Sequence, residues 1–230
     1  MCTVVIRVPQ PGDPQPVRLL AVRDEDPARP WRPLGTWWED RPGVRGVLDE
    51  QAGGAWLAAD DRKVAVLLNR EGFPDVPVPT TRGRLVLDAL AGEPLPSPLT
   101  TLGFNLVEAT AEEVRVTSWT GEEPPSVHVL GPGTHMVAHD DVDDPRTARI
   151  GAWLDAFAGS EADDWLEVLA TTTAVGPTDD RAIIRDNRPH GFPTLSLLVA
   201  VASLGGGGVE VGTGTLPAPG AWGRPNFTTA

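Results

Sequence analysis

The sequence predicts an α+β fold, a layered sandwich in which strands at both ends of the chain enclose helices. Short β-branched or apolar runs recur through the first 130 residues with turn-forming residues between them. Two segments between residues 145 and 170 carry apolar residues at helical spacing. A final pair of apolar runs flanks four consecutive glycines, as in a hairpin. Because the chain shows neither an internal repeat nor a long linker, we expect residues 1–230 to form one domain.

Most predicted strands pair with their neighbours in the chain. Residues 3–8 and 17–22 are separated by a Pro- and Gly-rich turn and predict an N-terminal hairpin. Residues 55–59 and 64–68 predict a second hairpin. The remaining strands are predicted at residues 105–109, 114–119, 127–130, 195–202 and 209–214. This spacing is typical of extended antiparallel sheets.

Three helices are predicted between the strands. They cover residues 84–91, 145–157 and 161–170. The residues expected on the inner faces of the last two are Leu154, Phe157, Trp165 and Leu169. Residues 23–46 are rich in Pro, Arg and Trp and are predicted to be irregular, and a loop of this length is often functional.

Charge and hydropathy exclude several classes of function. The chain of 230 residues has a formal net charge of -13 and is 40% hydrophobic. An acidic protein is unsuited to phosphate backbones and to anionic lipid, so we expect no nucleic-acid partner and no membrane partner. No apolar run approaches the roughly 18 residues of a membrane span, and no secretory signal opens the chain. We therefore expect a cytoplasmic protein with a small-molecule ligand, and assembly into a homo-oligomer stays open.

The one cysteine, Cys2, directly follows the initiator methionine. A single cysteine excludes an internal disulfide framework and a multi-cysteine zinc site. Because Cys is small enough for methionine aminopeptidase to remove Met1, the mature chain can begin with a thiol and an α-amine on one residue. The amine titrates near ~8 and the thiol near ~8.5, so the amine can act as the base for the nucleophile. The alternative is that Cys2 is a small apolar residue that opens a strand.

A series of short motifs in the first half of the chain resembles one known family. The motifs are Met1-Cys2, Val22-Arg23-Asp24-Glu25, Ala28-Arg29-Pro30, Trp37-Trp38-Glu39-Asp40, Gln51-Ala52-Gly53-Gly54-Ala55-Trp56-Leu57, Leu68-Asn69-Arg70, Thr81-Arg82-Gly83-Arg84-Leu85-Val86 and Gly103-Phe104-Asn105-Leu106. In this order they resemble the NRDE family, also called the transport and Golgi organisation protein 2 family, and the chain looks like a divergent member of bacterial type. The resemblance is dense over residues 1–107 and weak beyond them. It implies an N-terminal-nucleophile-hydrolase-like fold, a four-layer αββα sandwich of two antiparallel sheets.

The resemblance also implies catalytic roles, by analogy with cysteine N-terminal nucleophile amidases such as the penicillin V and bile-salt acylases. Cys2 would attack an acyl carbonyl while its own α-amine carries the proton. Arg23 would lower the pKa of the thiol, and Asp24 would hold the α-amine. Asn69 would donate an amide N–H to the oxyanion. Two structural interpretations stay open beside these roles: Arg23 and Asp24 as a buried ion pair, and Asn69 as a turn residue.

Three positions depart from the pattern of the family. Val22 stands where the first motif letter is Asn, and Ala138-His139 stands where relatives carry a Ser-Asn pair. Residues 191–196 lack the Arg that relatives place in a Gly-Thr-Arg-Ser/Thr segment. Loss of one oxyanion donor typically costs roughly 10²–10³ in rate, and His139 is the candidate replacement donor.

A second group of residues is predicted to bind the ligand. Arg29, Trp37 and Trp38 suit an apolar ligand that bears carboxylates or phosphates. Gly53 and Gly54 complete this predicted site. The tryptophans can instead pack the long loop onto the sheets, and the two glycines can simply form a tight turn before a strand.

No metal site and no obligatory cofactor are predicted. His139 and the four aspartates among residues 140–144 suggest a divalent ion, but their spacing does not fit an EF-hand. The simpler interpretation is that Asp143 or Asp144 caps a helix that begins at Pro145. The four histidines are scattered, and no Cys-Pro or CxxCH motif supports haem.

These observations lead to two main functional hypotheses. The first is a cysteine N-terminal-nucleophile amidohydrolase that acts on a non-peptide C–N bond, or on a thioester, of a small amphipathic acid. The second is a non-catalytic carrier or chaperone that binds haem or acyl-CoA in the same pocket. A third, a structural protein that keeps only the fold, also stays open.

Overall fold

The computed structural model describes residues 2–229, within which lie thirteen strands and three α-helices. The strands are β1 (Thr3–Val8), β2 (Val17–Glu25), β3 (Trp31–Gly35), β4 (Arg45–Asp49), β5 (Gly54–Ala59), β6 (Val64–Asn69), β7 (Phe104–Ala109), β8 (Val114–Trp119), β9 (Ser126–Val129), β10 (Gly133–Val137), β11 (Leu195–Gly205), β12 (Gly208–Thr215) and β13 (Thr228–Thr229). The helices are α1 (Leu85–Leu90), α2 (Ala148–Ala158) and α3 (Trp165–Thr171), and short 3-10 turns cover Ala162–Asp164, Thr172–Ala174 and Arg188–His190. Among the described residues, no helix has the length and apolar content needed to cross a bilayer.

The strands form two antiparallel sheets. Sheet A has the spatial order β10-β1-β2-β11-β12-β13, so the two ends of the chain meet where β2 pairs with β11. Sheet B is a meander from β3 to β9 in which each strand pairs with the next. The predicted hairpins at the N-terminus, at residues 55–68 and near the C-terminus are all present in these sheets.

Alternating side chains divide the core into three layers. In β1, Val4 and Ile6 belong to the core between the two sheets, whereas Val5 packs with α2 and α3 on the outer face of sheet A. Helix α1 packs on the outer face of sheet B, against residues that include Phe104 and Trp119. Burial of each such side chain stabilises the fold by roughly 1.5–3 kcal/mol. The order helix, sheet, sheet, helix confirms the αββα sandwich that the resemblance implied.

Four strands were not predicted. β3 and β4 lie in or just beyond the stretch expected to be irregular, residues 23–46, β10 begins at the end of a Gly-Pro-Gly segment, and β13 has only two residues. β3 is an edge strand with register shifts, and most of its side chains are at least partly exposed. Because its side chains are mostly exposed, β3 lacks the alternating apolar pattern by which a strand is predicted. The expectation that residues 23–46 are irregular was therefore wrong for β3.

The start of α2 also differs from the expectation. The helix begins at Ala148, with Thr147 as the N-cap residue, rather than at Pro145. The two aspartates predicted as caps have other partners: Asp143 accepts hydrogen bonds from His135 and from the backbone N–H of Met136, and Asp144 binds Arg146. The predicted cap is therefore wrong, because both carboxylates serve the turn that precedes the helix.

Candidate active site

A cavity of about 240 Å³ opens where the ends of the two sheets meet. Cys2, Arg23 and Asp24 reach it from sheet A, and Trp56 and Asn69 reach it from sheet B. The structure thus brings together four of the five residues for which the resemblance implied a catalytic role. We call this space the Cys2 cavity.

Cys2 immediately precedes β1 and packs in the core between the sheets. Its side chain continues the inward series of Val4 and Ile6 and is only 5% exposed. The thiol lies 3.8 Å from the backbone carbonyl oxygen of Asp24. Burial raises the pKa of the Cys2 thiol. At neutral pH the thiol in this state is therefore protonated, and a nearby base is needed to make it a nucleophile.

Arg23 is a buried cation whose charge acts on the thiol. Residues 23–25 continue β2 beyond its predicted end because they pair with the start of β11. The Arg23 guanidinium carbon lies 5.9 Å from the ring centres of both Trp31 and Trp56, and the side chain is buried. Its Nη2 lies 3.4 Å from a carboxylate oxygen of Glu25, whereas its buried Nη1 has no hydrogen-bond partner among the described residues. The ion-pair partner of Arg23 is thus Glu25.

Asp24 is fixed by a hydrogen-bond network on the opposite side of β2. The Ser196 hydroxyl donates to one carboxylate oxygen at 2.5 Å, and the Asn187 amide donates to the other at 3.5 Å. Ser196 in turn accepts the backbone N–H of Arg185, and the Arg185 guanidinium donates to the Asn187 side-chain oxygen, both at 2.8 Å. All four residues are buried. A network this well satisfied holds the carboxylate in one orientation.

Ser196, Asn187 and Arg185 were not predicted as site residues from the sequence. They lie more than 160 residues from Asp24, in the part of the chain where the resemblance was weak. In the sequence, the feature that could have indicated this network was the group of polar residues between positions 185 and 196. Their partners follow only from the pairing of β2 with β11, which the sequence pattern did not predict.

Asn69 ends β6 and lines the Cys2 cavity with an exposed side chain. Arg82 lines the same cavity and was not assigned a role, although it lies in one of the quoted motifs. It is partly buried, burial lowers its pKa, and its Nη1 donates to the carbonyl oxygen of Gly103 at 2.7 Å. The cavity therefore contains an exposed amide and a second guanidinium close to the thiol.

The predicted ligand-binding residues separate into two groups. Arg29 lines the Cys2 cavity, where its Nη2 lies 2.7 Å from a carboxylate oxygen of Asp49. Trp37 and Trp38 do not line it: their indole N–H groups donate to backbone carbonyls, that of Trp38 to Gly53 at 3.1 Å. These contacts pack the loop onto sheet B, which is the structural alternative for the tryptophans.

Gly53 and Gly54 also lie outside the lining of the cavity. Gly53 has a φ of +66°, as a tight turn requires. Gly54 lies against the backbone of Gly83, and the N–H of Ala55 donates to the Gly83 carbonyl oxygen at 2.9 Å. Gly54 therefore lies against the segment that carries Arg82, whereas Gly53 forms the turn before β5.

His139 lies in a different cavity. It lines a space of about 270 Å³ with Asp140, Arg149 and Arg185, at the side of sheet A covered by α2. Its Nε2 is 3.3 Å from a carboxylate oxygen of Asp140, and burial together with the Arg149 cation lowers its pKa. The structure thus separates His139 from the residues of the Cys2 cavity, because the chain turns toward α2 after β10. Within residues 2–229, no group of three or more His, Cys, Asp or Glu side chains is arranged to hold a metal.

Comparisons with known proteins place the chain in a family. The solved structure of the Caenorhabditis elegans ortholog of N-acylethanolamine-hydrolyzing acid amidase is similar at 14% identity and a TM-score of 0.49, over 87% of this chain and 92% of that chain. A comparison with curated proteins gave no match. The model of the family described as Transport and Golgi organisation 2 matches residues 1–182, which include every residue that lines the Cys2 cavity. As its motifs indicated, the chain belongs to the transport and Golgi organisation 2 family.

Proposed function

We propose that the Cys2 cavity is an N-terminal-nucleophile site that hydrolyses an amide or thioester of a small amphipathic acid. The observation that carries this proposal is the convergence of Cys2, Arg23, Asp24 and Asn69 on one cavity of about 240 Å³. That volume suits a short acyl group rather than a large ligand. The proposal includes removal of Met1, which lies outside the described residues. It also includes a cytoplasmic location, where a lone thiol stays reduced.

The proposed reaction has two steps that share one acyl-enzyme. The free α-amine of Cys2 takes the thiol proton, the sulfur forms a bond to the acyl carbon, and the C–N or C–S bond to the leaving group breaks. The leaving group departs with the proton from the α-ammonium. Water then attacks the acyl carbon, gives its proton to the amine, and releases the acid as the C–S bond to Cys2 breaks. The thiol is thereby restored.

The surroundings of Cys2 support this chemistry. Burial raises the pKa of the Cys2 thiol, so the thiol needs a nearby base to lose its proton. An α-amine on the same residue can act as that base. The Arg23 cation favours the thiolate form, and the exposed Asn69 amide is a donor available to an oxyanion. The fixed carboxylate of Asp24 suits the role of holding an ammonium group.

The alternative function is a non-catalytic carrier or chaperone for haem or acyl-CoA. The observation that favours it is the state of the thiol, which is 5% exposed and has a raised pKa. The guanidinium groups of Arg23 and Arg82 in the cavity suit a carboxylate or phosphate ligand without any chemical step. No histidine of the described residues lines this cavity, so a haem bound there would be held by its carboxylates.

The first experiment is an intact-mass measurement on the purified chain, followed by turnover assays. We expect Met1 to be absent and the protein to hydrolyse members of a panel of p-nitroanilides and acyl thioesters. Cys2→Ala should abolish turnover, whereas binding should persist. A second preparation controls for incomplete removal of Met1. In it, a protease cleaves an added leader peptide directly before Cys2, so that every molecule begins with Cys2. Absence of turnover in that preparation refutes the hydrolase.

The carrier is tested by titration of the same protein with haem and with acyl-CoA. Saturable binding of either by a preparation with Cys2 exposed and no turnover would favour the carrier. For haem, the Soret band is compared between the wild type and His→Ala variants at residues 128, 135, 139 and 190. Binding that no histidine variant changes would exclude an axial histidine.

A further inference from the structure

Arg82 is a cation in the Cys2 cavity that has no carboxylate within ion-pair distance among residues 2–229. Its Nη1 donates to the carbonyl oxygen of Gly103, and none of its hydrogen bonds or ion pairs within the described part of the chain goes to an acidic side chain. Burial lowers the pKa of Arg82, and the Glu25 charge opposes this effect only at longer range. A ligand that brings a negative charge would supply the missing partner.

The segment around Arg82 is held in place by backbone contacts. Gly54 is packed so closely against the backbone of Gly83 that there is no room for a Cβ on Gly54. The adjacent hydrogen bond from Ala55 N–H to Gly83 O joins the segment to β5 at 2.9 Å. The guanidinium is therefore presented to the cavity from a fixed backbone, which lowers the entropy cost of binding an anion.

Arg23 adds a second guanidinium to the lining of the same cavity. Its Nη1 is buried and has no hydrogen-bond partner among the described residues, and the residue as a whole is only 2% exposed. The nearby carboxylates are already engaged: Glu25 lies 3.4 Å from Arg23 and 3.9 Å from Arg29, and Asp49 lies 2.7 Å from Arg29. The acidic and basic residues of the cavity are equal in number, and Arg82 is the guanidinium among them with no carboxylate within ion-pair distance in the described part of the chain.

We propose that the Cys2 cavity selects acyl groups that end in a carboxylate, which Arg82 binds with support from Arg23. The substrate would then be the monoamide or monothioester of a small dicarboxylic acid. This inference rests on the proposed hydrolytic function for its reaction, but the binding of the carboxylate does not depend on turnover.

Two features favour a short carboxylate chain over a phosphate. The acidic residues Asp24, Glu25 and Asp49 line the same cavity and repel a dianion more than a monoanion. The apolar side chains of Leu67 and Leu102 also line the cavity, and they suit a methylene chain. The carboxylate belongs on the acyl side because the acyl group remains bonded to Cys2, next to these residues, after the leaving group departs.

The test compares substrates that differ in whether they carry a carboxylate and on which side of the scissile bond it lies. Glutaryl-p-nitroanilide carries the carboxylate on the acyl side, and butyryl-p-nitroanilide lacks it. N-butyrylglycine carries a carboxylate on the leaving amine instead. We expect kcat/KM for the glutaryl substrate to exceed that for the butyryl substrate by roughly 10- to 100-fold, the range for a charged hydrogen bond.

Arg82→Gln should remove this preference, and Arg82→Lys should retain part of it. Arg84→Gln is the matched control, because Arg84 lies two residues away, is largely exposed and is not part of the cavity lining. Thermal unfolding shows whether each variant is folded. Arg82→Lys provides the test if Arg82→Gln does not fold, since it keeps the charge but changes the fork of donors.

A parallel titration separates failure of this inference from failure of the proposed function. Glutarate and its neutral diamide are titrated into Cys2→Ser and Cys2→Ser/Arg82→Gln protein. Binding of glutarate alone, lost with Arg82, supports the inference even if no substrate is turned over. Three results overturn it: no glutarate binding, an equal loss of activity on the glutaryl and butyryl substrates in Arg82→Gln, or a preference for N-butyrylglycine.

Discussion

Gly54→Ala tests how the segment that carries Arg82 is held. A Cβ on Gly54 would lie 2.0 Å from the Gly83 carbonyl oxygen, 2.2 Å from its carbon and 2.7 Å from its Cα. All three atoms belong to the backbone, so no side-chain rotation relieves the overlap. The two segments must separate by more than about 1 Å to reach van der Waals contact, which is overpacking of the kind that costs about 1–3 kcal/mol.

The same movement weakens a hydrogen bond. The Ala55 N–H donates to the Gly83 carbonyl oxygen at 2.9 Å, and loss of such a bond costs about 0.5–1.5 kcal/mol. We therefore expect Gly54→Ala to lower the free energy of unfolding by about 2–4 kcal/mol. It should also weaken glutarate binding, because Arg82 directly precedes Gly83.

Gly53→Ala is the control for this prediction. A Cβ on Gly53 meets no atom within 4 Å, but its φ of +66° is unfavourable for Ala, at a cost of about 1 kcal/mol. Urea unfolding followed by fluorescence of the eight tryptophans measures both variants. If Gly54→Ala is destabilised no more than Gly53→Ala, close contact between the two segments is not what fixes the position of Arg82.

Three further predictions concern pH and the buried network. The Asp143 carboxylate raises the pKa of His135, so the stability from this pair is present below the ordinary histidine pKa and is lost as pH rises through the raised value. His135→Gln should therefore lower the free energy of unfolding by about 1 kcal/mol at pH 5.5 and by less at pH 8.5. An equal loss at both pH values would contradict this prediction. Burial raises the pKa of the Cys2 thiol, so as pH rises the unfolded chain loses this proton before the folded chain does, and stability falls above about pH 8.5. The midpoint of urea unfolding should fall less with pH in Cys2→Ala than in the wild type. The same dependence of the midpoint on pH in both proteins would contradict this prediction. Ser196→Ala removes a hydrogen-bond donor to Asp24 and the acceptor of the buried Arg185 N–H. It should lower the free energy of unfolding by about 2–4 kcal/mol. A loss below about 1 kcal/mol would show that water replaces the hydroxyl.

The sequence predicts the regular parts of this fold because their burial is regular. β1 and β8 have the predicted bounds, since both carry apolar side chains bounded by clear turn signals. β3 has no such pattern: it lies at a sheet edge, and Arg32 and Pro33 within it are exposed. An edge strand is defined by its partner more than by its own side chains, so local sequence does not reveal it.

The candidate site divides in the same way. Cys2, Arg23, Asp24 and Asn69 could be grouped because they belong to motifs in a recognisable order. Arg82 lay in such a motif as well, but the groups that surround its guanidinium are a property of the folded cavity. The contact of Ser196 with Asp24 joins residues 172 positions apart. No spacing rule reaches that far, and the placement of His139 likewise depends on where the chain turns after β10.

The position of the Cys2 cavity between the sheets has a consequence for the dynamics of the protein. One wall is the end of β2 in sheet A, and the opposite wall is the end of β6 and the segment before α1 in sheet B. A ligand that contacts both walls joins two sheets whose strands pair only within their own sheet. Bound ligand should therefore slow amide hydrogen exchange in both sheets together, by an amount set by its concentration relative to Kd. The free energy of local opening at this end of the sandwich then depends on the ligand concentration.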